Sequence, residues 1–154
     1  MGFNYSEIKQ NIHDGVYTYI GSGSGRQVFD IGNGYVAKAA KNRRGYAQNE
    51  VEYQISLIDS SGLFASVVDA SPDLSIIIME KADPINHLST VLRYYRVKNN
   101  RQLYLIPQIR KAMIHHKLEF ADMCRVQNWG MIGGRPVIVD YGFTKSVNRK
   151  YYKH

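Results

Sequence analysis

Residues 16–40 alternate between short strand-like segments and glycine turns, and this run constrains the fold more than any other part of the sequence. The segments VYTYI, RQVFDI and YVAKAA are separated first by GSGSG and then by the tight turn Gly32-Asn33-Gly34. β-Branched and aromatic residues favour strands, and glycine supplies the backbone conformations that short hairpin turns require. The run therefore predicts a three-stranded antiparallel meander.

The hydrophobic period changes directly after this meander. Ala47, Val51, Ile55 and Ile58 recur at the spacing of one helix face. Apolar residues at this spacing are typical of a helix that packs one side on a core. The pattern therefore predicts a helix over 45–59, which follows the third strand almost at once.

Two more strands, a helical middle and a late hairpin complete the predicted order. ASVVDA and LSIIIME predict strands on either side of a turn, the pattern over 85–121 is helical, and Gly133-Gly134 separates the two apolar arms of a hairpin. This order differs from the strand–helix alternation of a parallel sheet. It predicts one α+β domain over 1–154, with an N-terminal lobe to about 80, a hinge over about 80–84 and a reduced, mainly helical C-terminal lobe over about 85–154.

Composition narrows the class of protein further. A chain of 154 residues with 44% apolar and 21% charged residues builds one core, which excludes wholesale disorder. Its one cysteine cannot form an intramolecular disulfide and fits a reducing compartment, so we expect a cytoplasmic protein with no membrane span. A net charge of +7 suits a phosphate-rich ligand. Nucleic acid has only this charge and the basic tail 145–153 in its favour, and we do not expect it as a partner.

A lysine and three glycines in the first 40 residues indicate a binding site. Lys38 stands between small apolar residues on a predicted buried strand, where its charge needs an anionic partner. The following helix offers Glu52, beside the apolar stripe, and Glu50, further round the helix. Gly21, Gly23 and Gly25 precede that strand, and glycine lets backbone N–H groups approach phosphate oxygens, although a glycine run by itself is more typical of a flexible hairpin tip. Together these residues favour a nucleoside triphosphate site.

The order of the motifs resembles the protein-kinase family over roughly residues 15–145. That family has a glycine-rich loop, a strand lysine, a helix glutamate, a catalytic loop with Asp and Asn, and an Asp-Phe-Gly metal motif. The matching segments here are Gly21-x-Gly23-x-x-Arg26-x-Val28, Tyr35-Val36-Ala37-Lys38, Glu52 or Glu50, Asn128-Trp129-Gly130 and Asp140-Tyr141-Gly142. The resemblance implies a five-stranded antiparallel N-terminal lobe with one helix and a reduced helical C-terminal lobe.

The resemblance also implies roles for particular residues, with ATP and Mg²⁺ as cofactors. Met79 would stand at the back of the adenine pocket, and the backbones of Glu80 and Ala82 would bind the adenine edge. The nucleotide-binding set would be Gly21, Gly23, Gly25, Val28, Lys38, Glu52, Met79, Glu80 and Ala82; the catalytic set Asp122, Lys38 and Arg125; and the metal ligands Asn128 and Asp140. Independently of the resemblance, an Asp at the end of an apolar strand and an Asn beside a paired hairpin supply the oxygen ligands that Mg²⁺ prefers.

The catalytic loop departs from the family pattern. The family's catalytic Asp stands five residues before its Asn, a position held here by Met123, whereas Asp122 stands six before Asn128. Asp122 is the base if one extra residue bulges in the loop, and otherwise the base is absent. Arg125 takes the place of the family's phosphate-contacting lysine when counted back from Asn128, and Cys124 takes it when counted forward from Asp122.

Only 12 residues follow Gly142, which leaves no room for the family's long activation segment and the helical subdomain beyond it. The chain therefore resembles the trimmed kinase-like proteins of bacteria, phages and secreted effectors, and an effector would act in a host cytosol. We expect a minimal kinase that transfers the γ-phosphoryl group of ATP to a protein Ser or Thr hydroxyl. The alternative is an inactive pseudokinase that binds nucleotide and a partner. Apolar surface on the helices over 88–118 predicts a bound protein or a homodimer through the reduced lobe.

Overall fold

The computed structural model describes residues 2–142, which form six α-helices, one 3₁₀ turn and eight strands. The helices are α1 (Tyr5–His13), α2 (Arg43–Ile58), α3 (Ser89–Tyr94), α4 (Asn100–Tyr104), α5 (Pro107–His115) and α6 (Phe120–Met123), with the 3₁₀ turn at Val126–Asn128. The strands are β1 (Thr18–Ser22), β2 (Arg26–Gly32), β3 (Tyr35–Ala40), β4 (Val67–Ala70), β5 (Ile76–Glu80), β6 (Asp83–Pro84), β7 (Trp129–Ile132) and β8 (Arg135–Ile138).

The first five strands form one antiparallel sheet in the order β1-β2-β3-β5-β4. The predicted α+β class and five-stranded sheet are thereby confirmed. The β2–β3 turn has positive φ at Gly32, Asn33 and Gly34, the conformation that a tight hairpin needs. The first strand runs two residues further than predicted, because a register shift between Tyr19 and Gly21 lets the glycine segment stay paired with β2.

The two faces of this sheet pack against different elements. Val36 and Met79 point to the larger core, which includes Ile55 of α2. Their strand neighbours Ala37 and Ile78 point the other way and pack with Ile8 of α1. The sequence reasoning missed α1, whose start is marked by the Asn4 side chain accepting a hydrogen bond from the Glu7 N–H at 3.1 Å. Both faces of the sheet are therefore covered.

The remaining strands form a second sheet, in the order β6-β7-β8, beside short helices. The predicted late hairpin is β7–β8, and the predicted helical middle is divided into α3, α4 and α5, with Pro107 at the start of the last. Val91, Leu103, Ile109 and Trp129 share one core with the first sheet. No helix within residues 2–142 is long and apolar enough to cross a membrane. The basic tail 145–153 lies outside the described residues.

Helix α2 contacts the glycine segment at two glycines, Gly45 of the helix and Gly25 of the β1–β2 connection. A Cβ added to Gly45 would overlap the Gly25 carbonyl oxygen and stand 2.9 Å from the Ala40 Cα. A Cβ added to Gly25 would stand 2.7 Å from the Gly45 nitrogen. The same Gly25 carbonyl accepts a hydrogen bond from the Lys41 N–H at 2.7 Å. These contacts are between backbone atoms, so the helix sits directly on the end of the β1–β2 hairpin.

This close approach predicts that Gly45→Ala destabilises the protein. Alanine is the better helix former by about 1 kcal/mol, so the substitution would raise stability in an open helix. Here the backbone clash reverses the sign, and we expect a loss of about 1–3 kcal/mol in urea unfolding.

Gly23→Ala is the matched control, because nothing lies within 4 Å of its added Cβ and its φ is not positive. We expect its unfolding free energy to change by about 1 kcal/mol or less. A Gly45→Ala variant as stable as the wild type would contradict the close approach.

Candidate functional site

A cleft of about 470 Å³ lies between the two sheets. Gly21, Gly23 and Val28 line it from the β1–β2 hairpin, and Met79, Glu80 and Ala82 line it from the connection after β5. Its other side is formed by Trp129, Val139 and Asp140 of the second sheet and the residues after it. Lys38 and Arg26 stand at its inner end. The cleft thus brings together residues from four separate parts of the sequence.

Lys38 pairs with Glu52 at this inner end. The Lys38 Nζ lies 2.8 Å from the Glu52 Oε1 and also donates to the Val139 carbonyl oxygen at 2.5 Å. Both side chains are almost fully buried. Glu50 is exposed on the other side of α2, where it accepts a hydrogen bond from Gln54 at 3.5 Å. The structure therefore selects Glu52 from the two glutamates that the sequence offers.

Arg26 joins the same pair, which the sequence analysis did not foresee. Its Nη1 and Nη2 donate to the two oxygens of Glu52, each at 2.8 Å. Nη1 also donates to the Asn49 Oδ1 at 3.1 Å, and Nη2 donates to the Asp140 Oδ1 at 3.0 Å. The available signal was its position, since Arg26 stands where the family's third glycine is expected. A planar fork of donors suits a carboxylate in a way that a lysine does not.

The Glu52 carboxylate is the centre of this network. Besides Arg26 and Lys38, the backbone N–H of Tyr141 donates to its Oε2 at 2.9 Å. Burial alone would raise the pKa of this carboxyl, but the charges of Arg26 and Lys38 more than offset that effect and lower the pKa to about 2. Burial lowers the pKa of Lys38, and Glu52 opposes the change. Glu52 is consequently ionised throughout the range in which a protein works.

The segment 140–142 is fixed to α2 and to the chain after it. The Tyr141 hydroxyl donates to the Ala65 carbonyl oxygen at 2.5 Å, and its ring is buried against Phe64. A Cβ added to Gly142 would lie 2.8–2.9 Å from Gln48 atoms, including backbone. Asp140 remains one-third exposed at the edge of the cleft. These contacts after Asp140, together with the Val139 carbonyl oxygen that accepts from Lys38 before it, fix the backbone on both sides of Asp140.

Asp122 and Asn128 form a second group beside Asp140. The Asn128 Nδ2 donates to the Asp122 carbonyl oxygen at 2.8 Å, which ties the loop together in spite of its extra residue. The Asp122 Oδ2 is buried and has no hydrogen-bond partner within the described residues. Burial raises the pKa of Asp122 to about 6, with Asp140 and Glu119 adding to the effect and Arg125 opposing it. Asp122 and Asp140 both line a small void of about 10 Å³ next to the main cleft.

The cleft collects most of the predicted site residues, although not all of them. Those that line it are Gly21, Gly23, Val28, Lys38, Met79, Glu80, Ala82 and Asp140. Gly25 packs against α2 instead, Glu52 is buried behind Lys38, and Arg125 is exposed to solvent. Asn128 is buried, and its neighbours Gln127 and Trp129 reach the cleft in its place. The sequence analysis did not foresee either of those two lining residues.

The Asp140 carboxylate is engaged by Arg26 and is not a free Mg²⁺ ligand while Arg26 remains in place. The Asp140 Oδ1 accepts a hydrogen bond from the Arg26 Nη2, and the Asn128 Nδ2 donates to the Asp122 carbonyl, a bond that does not use the amide oxygen. Among residues 2–142 no three His, Cys, Asp or Glu side chains are grouped to hold a metal ion. A magnesium ion in this cleft would have to compete with a guanidinium for the carboxylate.

The fold is protein-kinase-like, as the motif order implied. The crystal structure of Cex1p matches over 88% of this chain at 18% identity and a TM-score of 0.52, and the match spans 29% of the length of Cex1p. At this identity the similarity shows the fold alone. The streptomycin–ATP–APH(2")-IIa ternary complex matches 92% of this chain and 73% of its own at 14% identity, with a TM-score of 0.49. No protein-family model matches the sequence, and no curated protein matches it significantly.

The buried network predicts that Glu52→Gln is strongly destabilising. Glutamine keeps the volume of the side chain but leaves Asp140 as the one carboxylate near Arg26 and Lys38 within residues 2–142. Removing one partner of a buried ion pair typically costs about 3–5 kcal/mol, and we expect a loss of that size in urea unfolding.

The exposed Glu50→Gln is the matched control, for which we expect a change within about 0.5 kcal/mol. A Glu52→Gln variant that loses no more stability than Glu50→Gln would show that the network does not form.

The raised pKa of Asp122 predicts a pH-dependent effect of Asp122→Asn. A carboxyl with a pKa of about 6 in the folded protein and 3.8 in the unfolded chain binds more protons when folded. The wild type therefore loses stability as the pH rises through that interval. Asparagine removes this dependence. The melting temperature of Asp122→Asn should therefore rise relative to that of the wild type as the pH increases from 4 to 7.

Asp83→Asn, at an exposed aspartate, serves as the control and should show no such gain. A difference between Asp122→Asn and the wild type that stays constant with pH would contradict the burial of this carboxyl.

Proposed function

We propose that this chain binds ATP in the cleft and transfers the γ-phosphoryl group to a hydroxyl acceptor. The observation that carries this proposal is the buried Lys38–Glu52 pair, at 2.8 Å, at the inner end of a 470 Å³ cleft beneath the β1–β2 hairpin. The pair holds an ammonium group where the phosphates of a bound nucleotide would lie. Positioning and charge stabilisation account for most of the catalysis of phosphoryl transfer, and this arrangement provides both.

The connection after β5 suits the adenine base. The Glu80 N–H donates to the Ser66 carbonyl and the Lys81 N–H donates to the Gly34 carbonyl, so neither is available to a ligand. Ala82 lines the cleft, and its N–H has no hydrogen-bond acceptor within the described residues. A free donor on an apolar wall next to Met79 is what the edge of a purine ring requires. This supports the proposed adenine contact at Ala82.

The phosphate end depends on side-chain charge more than on glycine. The Gly23 N–H donates to the Arg26 carbonyl oxygen at 3.0 Å and so closes the hairpin, and the Gly23 carbonyl accepts from the Lys41 Nζ at 2.7 Å. These groups are therefore engaged in the hairpin itself. Lys38 and Arg26 are the cations at the inner end of the cleft, where they would neutralise the phosphates.

Asp122 is the proposed base of the transfer step. The acceptor hydroxyl gives its proton to the Asp122 carboxylate, its oxygen forms a bond to the γ-phosphorus, and the bond to the β–γ bridging oxygen breaks as ADP leaves. A buried oxygen without a partner and a pKa of about 6 suit a group that takes up a proton near neutral pH. The proposed acceptor is a Ser or Thr side chain of a protein, as the kinase resemblance implies.

A second candidate is nucleotide binding without transfer. It is favoured by the position of Asp122, which lines the small void on the other side of Asp140 instead of the cleft. Such a protein would act through a partner. The exposed apolar side chains on the helical part, which are Tyr94, Leu105, Ile114 and Phe120, support the proposed contact with a partner or a second copy.

Radiolabelled ATP distinguishes these two candidates. We expect the wild type to label a generic protein acceptor or itself. Lys38→Met should lower the transfer rate by about 100-fold or more because it removes the cation at the phosphates. Asp122→Asn should lower transfer by about 100-fold while the thermal stabilisation by ATP is retained, since the base does not hold the nucleotide.

Lys111→Met is the matched control, because Lys111 is exposed on α5 and outside the cleft. Circular dichroism would establish that each variant is folded. Stabilisation by ATP without transfer would favour the second candidate, and the absence of any stabilisation by ATP would refute both.

A further inference from the structure

We propose that the Arg26 guanidinium takes the place of a divalent metal ion in this cleft, so that the protein binds a nucleoside triphosphate without Mg²⁺. This inference rests on the proposed nucleotide site. It concerns the charge that meets the phosphates, and it replaces the metal that the kinase resemblance implies at Asn128 and Asp140.

The Arg26 guanidinium is fixed by hydrogen bonds to α2, on the side away from the cleft. The two Glu52 oxygens each accept one of its terminal N–H groups at 2.8 Å, and Asn49 accepts a third at 3.1 Å. The fourth points to Asp140, at 3.0 Å, on the side where the network reaches the cleft. Arg26 is 5% exposed and yet lines the cleft. A guanidinium fixed in this way is organised before any ligand arrives.

The charges at the inner end of the cleft are balanced without a metal. Arg26 and Lys38 are positive, and Glu52 and Asp140 are negative, so the four side chains have no net charge. Without Arg26 the group would be negative and would need a cation before it could receive phosphates. With Arg26 present, a triphosphate meets two side-chain cations whose carboxylate partners are already satisfied.

A magnesium ion at Asp140 would compete with the guanidinium in its present position for the same carboxylate. Mg²⁺ binds carboxylate oxygens at about 2.0–2.1 Å with nearly octahedral geometry. An ion so close to Asp140 would stand beside Arg26 in a partly buried site, where like charges repel strongly. The two cations therefore compete for this carboxylate. The bonds from Arg26 to Glu52 favour the guanidinium.

A phosphate oxygen can replace Asp140 as the acceptor from the Arg26 Nη2. Asp140 is the partner of Arg26 that is one-third exposed, so a ligand in the cleft can reach this bond. Arginine is a strong phosphate ligand because it presents forked donors and stays charged. Glu52 keeps the guanidinium in place while that one bond changes partner.

Isothermal titration of the wild-type protein with ATP tests the inference without any variant. The titration is run once in excess EDTA and once in excess Mg²⁺. We expect the two dissociation constants to agree within about threefold. Binding that is at least about tenfold weaker in EDTA would overturn this inference and leave the proposed function standing. No binding in either buffer would overturn the proposed function and this inference with it.

The Arg26→Gln variant should need Mg²⁺ to bind ATP tightly. It keeps hydrogen-bond donors but removes the charge and releases Asp140. We expect its affinity for ATP in EDTA to fall by about tenfold or more, and Mg²⁺ to restore most of the loss. Arg26→Gln binding in EDTA that equals the wild type would overturn the inference.

Arg26→Lys covers the case in which the glutamine variant does not fold. It keeps the positive charge next to Glu52 but loses the forked donors, so we expect a lower affinity, while its dissociation constants in EDTA and in Mg²⁺ should still agree within about threefold. A folded Arg26→Lys protein that binds ATP at least about tenfold more weakly in EDTA than in Mg²⁺ would contradict a role of the charge. Arg43→Gln removes the same charge from an exposed site on α2 outside the cleft, and it should leave binding in both buffers unchanged.

Discussion

The carboxylate of Glu52 is the interaction on which the rest of the structure depends. It is fully buried, and it accepts hydrogen bonds from β2, from β3 and from the residue after Asp140. Taking an ion out of water costs several kcal/mol, and only a full set of partners offsets that cost. The helix, the meander and the second sheet must therefore all be in place before this charge is tolerated. Folding of the domain and assembly of the cleft are the same event.

The parts of this molecule that could be predicted from sequence are those with a local signal. Strand alternation and glycine turns located β2, β3 and the β7–β8 hairpin, and the stripe through Val51 and Ile55 located α2. Lys38 and Glu52 are 14 residues apart, and a charged strand residue next to an amphipathic helix is enough to suggest the pair. The predicted order of elements followed from these signals because each is decided within a few residues.

The missed features depend on contacts that no local pattern records. Arg26 and Asp140 are 114 residues apart, and nothing near either one shows that they meet. Helix α1 was missed because its nine residues are mostly polar and its apolar side chains match the far face of a sheet that has to exist first. The glycine segment was predicted as a phosphate cradle or as a flexible hairpin tip, and its sequence does not show that Gly25 contacts Gly45 or that the Gly23 N–H closes the hairpin. A glycine in the sequence can indicate that another group approaches the backbone closely, but it does not indicate which group.

The bond from the Tyr141 N–H to Glu52 has a consequence for motion. A movement of α2 away from the sheet would break several bonds to the Glu52 carboxylate. Such a movement would leave Arg26, Lys38 and the Tyr141 amide without their acceptor at the same moment, in a place that water reaches poorly. Moving α2 away therefore breaks its contacts with β2, with β3 and with the segment after β8 together. Local fluctuations are left to the parts of the chain outside this network.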